Sequence, residues 1–394
     1  MNNVLELFKG VGVIIDDALN LKNGNKKDII WKIKISFEKQ NFPILPYCEL
    51  PSNEQVKNFN SISFLLLDWD LYGQLPEGVS KPQTATADNI DFIKSFNAVC
   101  FAPIFIFSNE NIDDIKNNLA NANLYNLTKS NHIFIESKSN LKQSRTLFTK
   151  IKKWITTTPS IYVLKEWEKS LSQAKCDLFH DFYSINPNFP EVLRQTFTTD
   201  GVDENHELGA LIYKNLIART SPTNFDDKIL NRNIKSVSKD DLRKILECER
   251  YLNKEKLSDN PAVGDIFKCN SNYFINIRPD CHIVRKGDDV KLYCLKGNIV
   301  KEQHINAKKK SNKVTFEKGN FIEKIFNAYV SFVDDGKILE FKFNDNNFIQ
   351  DEWKNLKGKR IGRLLPPYIT RLQQKYAFYL QRQGLPAIPP KAVK

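Results

Sequence analysis

The stretches that decide the fold are Val13-Ile14-Ile15-Asp16-Asp17 and Phe64-Leu65-Leu66-Leu67-Asp68-Trp69-Asp70. Each is a short apolar run that ends in acidic residues, which is typical of a buried parallel strand whose carboxyl end opens on a crevice. In open α/β sheets, ligands bind at that end of the strands. We therefore expect the two acidic ends to lie together at one end of a parallel sheet.

The first 140 or so residues alternate apolar runs with helix-like segments. This order predicts a doubly wound, flavodoxin-like parallel sheet that is covered by helices on both faces. Strands are predicted at 11–15, 43–47, 62–67, 103–107 and 132–136. Helices are predicted near 25–39, 53–58, 88–98 and 110–122.

Asp16, Asp17 and Asp68 predict a Mg²⁺ site. Three carboxylates in one place repel one another unless a hard cation lies between them, and Mg²⁺ prefers oxygen ligands. A carboxylate beside such a cation can also act as a nucleophile toward phosphorus. A local explanation exists for each acid, because Asp at a strand end often caps a helix or forms an Asx-turn.

This pattern resembles the receiver domain of bacterial response regulators. In that family, an acidic pair after the first strand and an aspartate after the third bind Mg²⁺, and the third-strand aspartate accepts a phosphoryl group from a histidine kinase. The resemblance implies that Asp16 and Asp17 are the acidic pair and that Asp68 is the phosphoacceptor. It also implies phosphoryl-sensing roles for Ser108, which ends the fourth predicted strand, and for Lys138, which follows the fifth. Lys138 departs from the family pattern, because it comes two residues late and no proline follows it.

The whole chain resembles bacterial proteins described as carrying a response receiver domain, which are found in antiviral conflict systems. The resemblance rests on the receiver-like start, on Asn-Ile-Arg-Pro-Asp-Cys at 276–281, and on Tyr-Ile…Arg-Gln-Gly-Leu-Pro at 368–386. It implies a signalling adaptor that acts beside a histidine-kinase-like or ATPase partner. Members of this group often have inactive receivers, so a degenerate receiver that binds partners without phosphorylation is the alternative.

The sequence predicts three regions: a receiver-like α/β domain at 1–142, a helical middle at 143–258, and a basic β-rich barrel or sandwich at 259–394. In the last region, strands are predicted at 264–269, 272–277, 283–285, 290–295, 314–316, 329–333 and 338–343. Turn signals lie at Gly287-Asp288-Asp289 and Asp334-Asp335-Gly336-Lys337. A final helix is predicted to begin after Pro366-Pro367.

The net charge of +12 lies in the last third of the chain, where residues 261–394 carry 25 basic and 13 acidic side chains. This asymmetry indicates an anionic partner. Nucleic acid is the alternative function, because basic side chains neutralise phosphates. An acidic protein and a merely solvated lysine-rich surface explain the charge equally well. The candidate basic residues, read as two loop clusters, are Lys308, Lys309, Lys310, Lys313, Lys357, Lys359, Arg360 and Arg363.

Composition narrows the class of protein. A hydrophobic content of 41% and a charged content of 26% are those of a globular chain, and no apolar run approaches the roughly 20 residues of a membrane span. Seven scattered cysteines without a Cys-x-x-Cys pair argue against a disulfide framework, so we expect a cytoplasmic protein. A zinc site at Cys269, Cys281, His282 and Cys294 is disfavoured because no two of these ligands have the short spacing that structural sites use. No phosphate-binding glycine loop is found, which argues against an NTPase.

Overall fold

The computed structural model describes residues 4–19, 28–72, 82–141, 144–220, 222–230, 237–283, 289–300, 305–306, 320–321 and 324–381. The chain divides into two compact units. The first comprises Met1–Ile185 and Lys214–Arg232, and the second comprises Asn186–Tyr213 and Asn233–Lys394.

The first unit contains a five-stranded sheet in which all strands run parallel. The strand order is β2-β1-β3-β4-β5, the flavodoxin-like order of doubly wound sheets. The predicted parallel sheet is therefore confirmed, and its boundaries agree with the predicted ones to within a residue. The strands are β1 (Val11–Ile15), β2 (Ile44–Tyr47), β3 (Ile62–Leu67), β4 (Ile104–Ser108) and β5 (Ile133–Ser137).

Helices follow the strands where polar side chains can cap them. Asp28 accepts a hydrogen bond from the backbone N–H of Ile30 at the start of the first helix. Ser52 and Gln55 form a capping box at the second, and Asn111 caps the fourth. The helices are α1 (Ile29–Glu38), α2 (Asn53–Val56), α3 (Ala85–Val99), α4 (Ile112–Asn121), α5 (Ser144–Thr157) and α6 (Pro159–Ile185).

The sheet separates two hydrophobic cores, because successive side chains of a strand point to opposite faces. Ile14, Phe64 and Leu66 pack with residues of α1, α5 and α6 on one face. Val13 and Leu65 pack with residues of α2, α3 and α4 on the other. Both faces of the central strands are thus buried, which explains why these strands read as continuous apolar runs.

The middle of the chain is helical, as predicted. Ser238 caps the last of these helices by accepting a hydrogen bond from the backbone N–H of Asp241. Here the helices are α7 (Phe189–Thr199), α8 (Glu204–Thr220), α9 (Asp227–Leu230) and α10 (Lys239–Arg250).

The second unit contains an antiparallel, curled sheet in the order β12-β13-β9-β8-β7-β15-β6, with β14 paired to β9. Its strands are β6 (Tyr251–Asn253), β7 (Asp265–Cys269), β8 (Asn272–Asn276), β9 (Lys291–Ile299), β12 (Asn327–Val333), β13 (Lys337–Lys342), β14 (Phe348–Glu352) and β15 (Arg360–Leu364). A separate pair joins β10 (Ile305–Asn306) to β11 (Asn320–Phe321). The helices are α11 (Asp280–Ile283), α12 (Trp353–Leu356) and α13 (Tyr368–Leu380). Ile369 and Leu372 of α13 pack against the sheet, as the apolar face of the predicted final helix requires.

Two predictions for this unit are wrong. The strand predicted from residue 283 is contradicted by α11, which begins directly after Pro279; the fixed φ of proline is compatible with the start of a helix. The basic stretch from residue 354 is not a loop, because α12 and β15 account for most of it. The strand predicted at 314–316 and the turn residues Gly287 and Asp288 lie outside the described residues.

Candidate metal and phosphoryl site

The acidic residues follow two neighbouring strands of the parallel sheet. Asp16 and Asp17 come directly after β1, and Asp68 comes directly after β3. β1 and β3 pair in parallel with Ile15 opposite Leu67, so the residues that follow them lie side by side. The strand order reverses at this pair, since β2 lies on one side of β1 and β3 on the other. This reversal is where doubly wound sheets open a crevice for ligands.

The three carboxylates converge as the sequence predicted. One carboxylate oxygen of each of Asp16, Asp17 and Asp68 lies within 4.8 Å of the others. Asp16 and Asp68 are buried, whereas Asp17 is partly exposed. Oxygen ligands in this number and at this spacing fit a hard divalent cation such as Mg²⁺.

Each buried acid also makes the local turn that the alternative explanation predicted. Asp16 Oδ1 accepts a hydrogen bond of 3.0 Å from the backbone N–H of Ala18. Asp68 Oδ1 accepts one of 3.2 Å from the backbone N–H of Asp70. These bonds engage only one oxygen of each carboxylate, so the turns orient the acids and leave their second oxygens directed to other partners.

The second oxygens are bridged by Lys138. Its ammonium donates to Asp16 Oδ2 at 2.8 Å and to Asp68 Oδ2 at 2.7 Å. Lys138 begins a short 3₁₀ helix, Lys138–Leu141, directly after β5. Its side chain is only 8% exposed, so both ion pairs are shielded from water. The late position of this lysine in the sequence therefore does not keep it from the acidic site.

Burial and charge shift the pKa values of the cluster in a coupled way. Burial raises the pKa of Asp68 to about 7, although Lys138 opposes the shift, while the charge of Asp16 adds to it. Burial also raises the pKa of Asp16, again against the lowering effect of Lys138. Burial would lower the pKa of Lys138, but Asp68 and Asp16 outweigh that effect and raise it. One ammonium cannot neutralise two buried carboxylates, so the two acids take up a proton more readily than free aspartate while the lysine stays charged.

Ser108 is the last residue of β4, the strand between β3 and β5. It is completely buried, and its hydroxyl accepts a hydrogen bond of 3.1 Å from the backbone N–H of Glu110. The structure thus places Ser108 at the same end of the sheet as the acids. Its phosphoryl-sensing role stays a prediction.

Sequence reasoning missed two contacts around the site. Asn89 of α3 is buried, and its side-chain amide donates a 2.6 Å hydrogen bond to the backbone carbonyl of Trp69, between Asp68 and Asp70. Glu136 of β5 pairs with Lys150 of α5 and accepts a hydrogen bond from Asn140, which ties the segment around Lys138 to that helix. A polar residue among the apolar positions of α3 was the available signal for Asn89.

The basic residues considered for nucleic acid fall into three groups. Lys357 and Lys359 are exposed. Arg360 is 7% exposed and stacks on Trp353, and both Arg360 and Arg363 pair with the buried Asp265. These two arginines therefore satisfy a buried carboxylate, which limits what they can offer to a phosphate. Lys308, Lys309, Lys310 and Lys313 lie outside the described residues.

Two findings concern the described residues as a whole. The acidic triad is the one group of three or more potential metal ligands found among them, so Cys269, Cys281, His282 and Cys294 do not form one. None of the helices seen in the described parts of the chain combines the length and the apolar character needed to cross a membrane. Comparison of the chain with protein-family models and with curated proteins finds no match.

Proposed function

We propose that this protein is a signalling adaptor whose receiver-like domain accepts a phosphoryl group on Asp68. The observation that carries the proposal is the convergence of Asp16, Asp17 and Asp68 at the point where the strand order reverses. Lys138 completes the constellation from the end of β5. A parallel sheet of this order with three acids and a lysine at one end supports phosphoryl chemistry better than any other arrangement in the described residues.

In the proposed reaction, a carboxylate oxygen of Asp68 attacks the phosphorus of a phosphodonor. The new bond joins that oxygen to phosphorus, and the bond between phosphorus and the donor's leaving group breaks, with the electron pair departing on the leaving group. Asp16, Asp17 and Asp68 would hold Mg²⁺, which would neutralise charge on the transferring phosphoryl oxygens. Lys138 adds a second positive charge at the same place, and Ser108 supplies a hydroxyl from β4.

A phosphoryl group on Asp68 would change the partners of Lys138. The ammonium now divides its hydrogen bonds between Asp16 and Asp68. A phosphorylated Asp68 carries more negative charge and presents new acceptor oxygens, so Lys138 would shift toward it. Because Lys138 lies on the segment between β5 and α5, this shift would alter the face formed by those two elements, and a partner that reads this face would receive the signal.

The partner and the setting follow from the resemblance alone. A histidine-kinase-like or ATPase protein would act with this chain, in a bacterial antiphage defence system. A degenerate receiver would keep the same surface and bind that partner without phosphorylation. The two versions differ in one property, which is whether Asp68 is modified.

The test is incubation of the full chain with Mg²⁺ and acetyl phosphate, followed by intact-mass measurement. We expect wild type to gain the mass of one phosphoryl group, and Asp68→Asn to gain none. Asp91→Asn, which changes an exposed acid of α3, is the matched control and should gain mass like wild type. No gain in wild type, or equal gain in wild type and Asp68→Asn, would reject phosphoryl transfer to Asp68.

A further inference from the structure

A second cavity lies at the opposite end of the parallel sheet from the acidic site. It has a volume of about 900 Å³ and lies wholly within the first unit. Its wall includes the start of β3, the segment before β1, and one face of α6. Cavities of roughly 300–1,000 Å³ accommodate small organic ligands, so the volume is much larger than a single inorganic anion needs.

The floor of this cavity contains a buried lysine. The side chain of Lys165 is 3% exposed, and its ammonium donates to Glu168 Oε2 at 2.6 Å and to the backbone carbonyl of Ser63 at 3.0 Å. It also lies 3.3 Å from the Ser63 hydroxyl. A buried ammonium costs free energy unless it is paired, so this one is held in place by three fixed acceptors. Together with Ser63 it presents a preorganised polar surface to the cavity.

Positive charge surrounds the cavity beyond Lys165. Lys9 and Lys169 are exposed lining residues, and Arg219 lines it as well. The nearest carboxylate to Lys169 is that of Glu6, at 3.9 Å, and within the described residues no carboxylate lies within ion-pair distance of Lys9. These two ammonium groups are therefore available to an anionic ligand.

The remaining lining groups are neutral donors and acceptors or acids with partners. Glu168 is paired with Lys165, and Asp177 accepts a hydrogen bond of 2.8 Å from Gln173. Hydroxyl and amide groups complete the wall, among them Asn60, Ser61, Ser63 and Ser170. Such a mixture matches a ligand that has an anionic end and a larger body rich in hydroxyl and N–H groups.

We propose that this cavity binds a small organic phosphate of about nucleotide size. The phosphate group would contact Lys9 and Lys169, and the rest of the molecule would extend along α6 toward Ser63 and Lys165. The site is separate from the acidic cluster, because β3 carries Ser63 near one end and leads to Asp68 at the other. The proposal therefore stands or falls independently of phosphoryl transfer to Asp68.

The test is isothermal titration of the full chain with AMP, ATP and glucose 6-phosphate, in EDTA, with inorganic phosphate as the comparison. We expect at least one organic phosphate to bind at least tenfold more tightly than inorganic phosphate. The double variant K9E/K169E should weaken that binding at least tenfold. K94E/K116E changes the same net charge on the exposed surface of α3 and α4, and it should leave binding within twofold of wild type.

Lys165→Met tests the cavity floor and should also weaken binding at least tenfold. If this variant does not fold, the two surface double variants decide the question, because they change exposed side chains. Asp68→Asn should bind the organic phosphate like wild type. The proposal is overturned if none of the three organic phosphates binds more tightly than inorganic phosphate, or if both double variants weaken binding equally.

Discussion

Lys138 donates a 2.7 Å hydrogen bond to Asp68, which lies 70 positions earlier in the chain. The same ammonium reaches Asp16, so one side chain from the end of β5 joins the ends of β1 and β3. Two buried acids and one buried base form a unit whose members each depend on the others for charge compensation. The predictions for the first unit begin from this dependence.

Replacing Lys138 with methionine leaves the apolar stem in place and removes the charge. Asp16 and Asp68 then remain buried without a cation, and breaking such a pair costs about 3–5 kcal/mol. We expect a lower urea midpoint at pH 8 and partial recovery when Mg²⁺ is added, because the metal would replace the missing positive charge. Lys116→Met, at an exposed ion pair, should change stability by less than about 0.5 kcal/mol. Equal midpoints for the two variants would show that the Lys138 bridge contributes nothing.

The raised pKa of Asp68 predicts a pH dependence of stability in metal-free buffer. Its pKa rises from 3.8 in the unfolded chain to about 7 in the folded one, so the folded state binds the extra proton between these values. The stabilisation is fully present below pH 3.8 and is lost as the pH rises through about 7, with a slope of at most about 1.4 kcal/mol per pH unit. Urea midpoints of wild type and Asp68→Asn should therefore diverge in slope between pH 5 and pH 7. Parallel profiles would show that Asp68 ionises normally.

Gly12 tests the packing that positions β1. A Cβ at this position would lie 2.2 Å from the ring of Phe64, which is itself completely buried, so an alanine must displace that ring. Overpacking of this kind costs about 1–3 kcal/mol. Gly209→Ala is the matched control, because nothing lies within 4 Å of its Cβ and alanine favours a helix by up to about 1 kcal/mol. Urea midpoints should fall for the first variant and hold or rise for the second; a Gly12→Ala midpoint equal to wild type would contradict the packing.

Asp265 tests whether the arginines of β15 are structural. Its carboxylate is completely buried and pairs with Arg363 at 2.7 Å and with Arg360 at 3.5 Å. Asp265→Ala should cost about 3–5 kcal/mol, because it leaves buried positive charge without a partner. Asp259→Ala, at a fully solvated pair with Lys357, should cost less than about 0.5 kcal/mol. Thermal unfolding compares the two variants, and similar transitions would mean that Arg360 and Arg363 do not depend on Asp265.

The parallel sheet could be predicted from the sequence because its strands are buried on both faces. Runs such as Phe64 to Leu67 then contain no polar residue, and the acids that close them mark the carboxyl end. The convergence of Asp16, Asp17 and Asp68 follows from the register of β1 and β3. The position of Lys138 could not be derived in this way, because its reach depends on the 3₁₀ turn after β5 and on a long side chain.

The second unit was harder to predict because its strands are half-exposed and its charges are engaged in tertiary contacts. Arg360 and Arg363 resemble members of a basic surface cluster in the sequence, yet Asp265, nearly a hundred residues earlier, determines where they lie. Arg360 also lies over the ring of Trp353, and that contact cannot be inferred from spacing. Local charge density predicts solvent exposure only when no buried partner exists elsewhere in the chain.

The central claim is that three carboxylates at the junction of β1 and β3 form one divalent-cation site. Isothermal titration of the metal-free protein with Mg²⁺ at pH 8, where Asp68 is ionised, tests it most directly. We predict a single binding event that Asp17→Asn weakens at least tenfold and Asp91→Asn leaves unchanged. Absence of Mg²⁺ binding by wild type, or the same affinity in wild type and Asp17→Asn, would contradict the account.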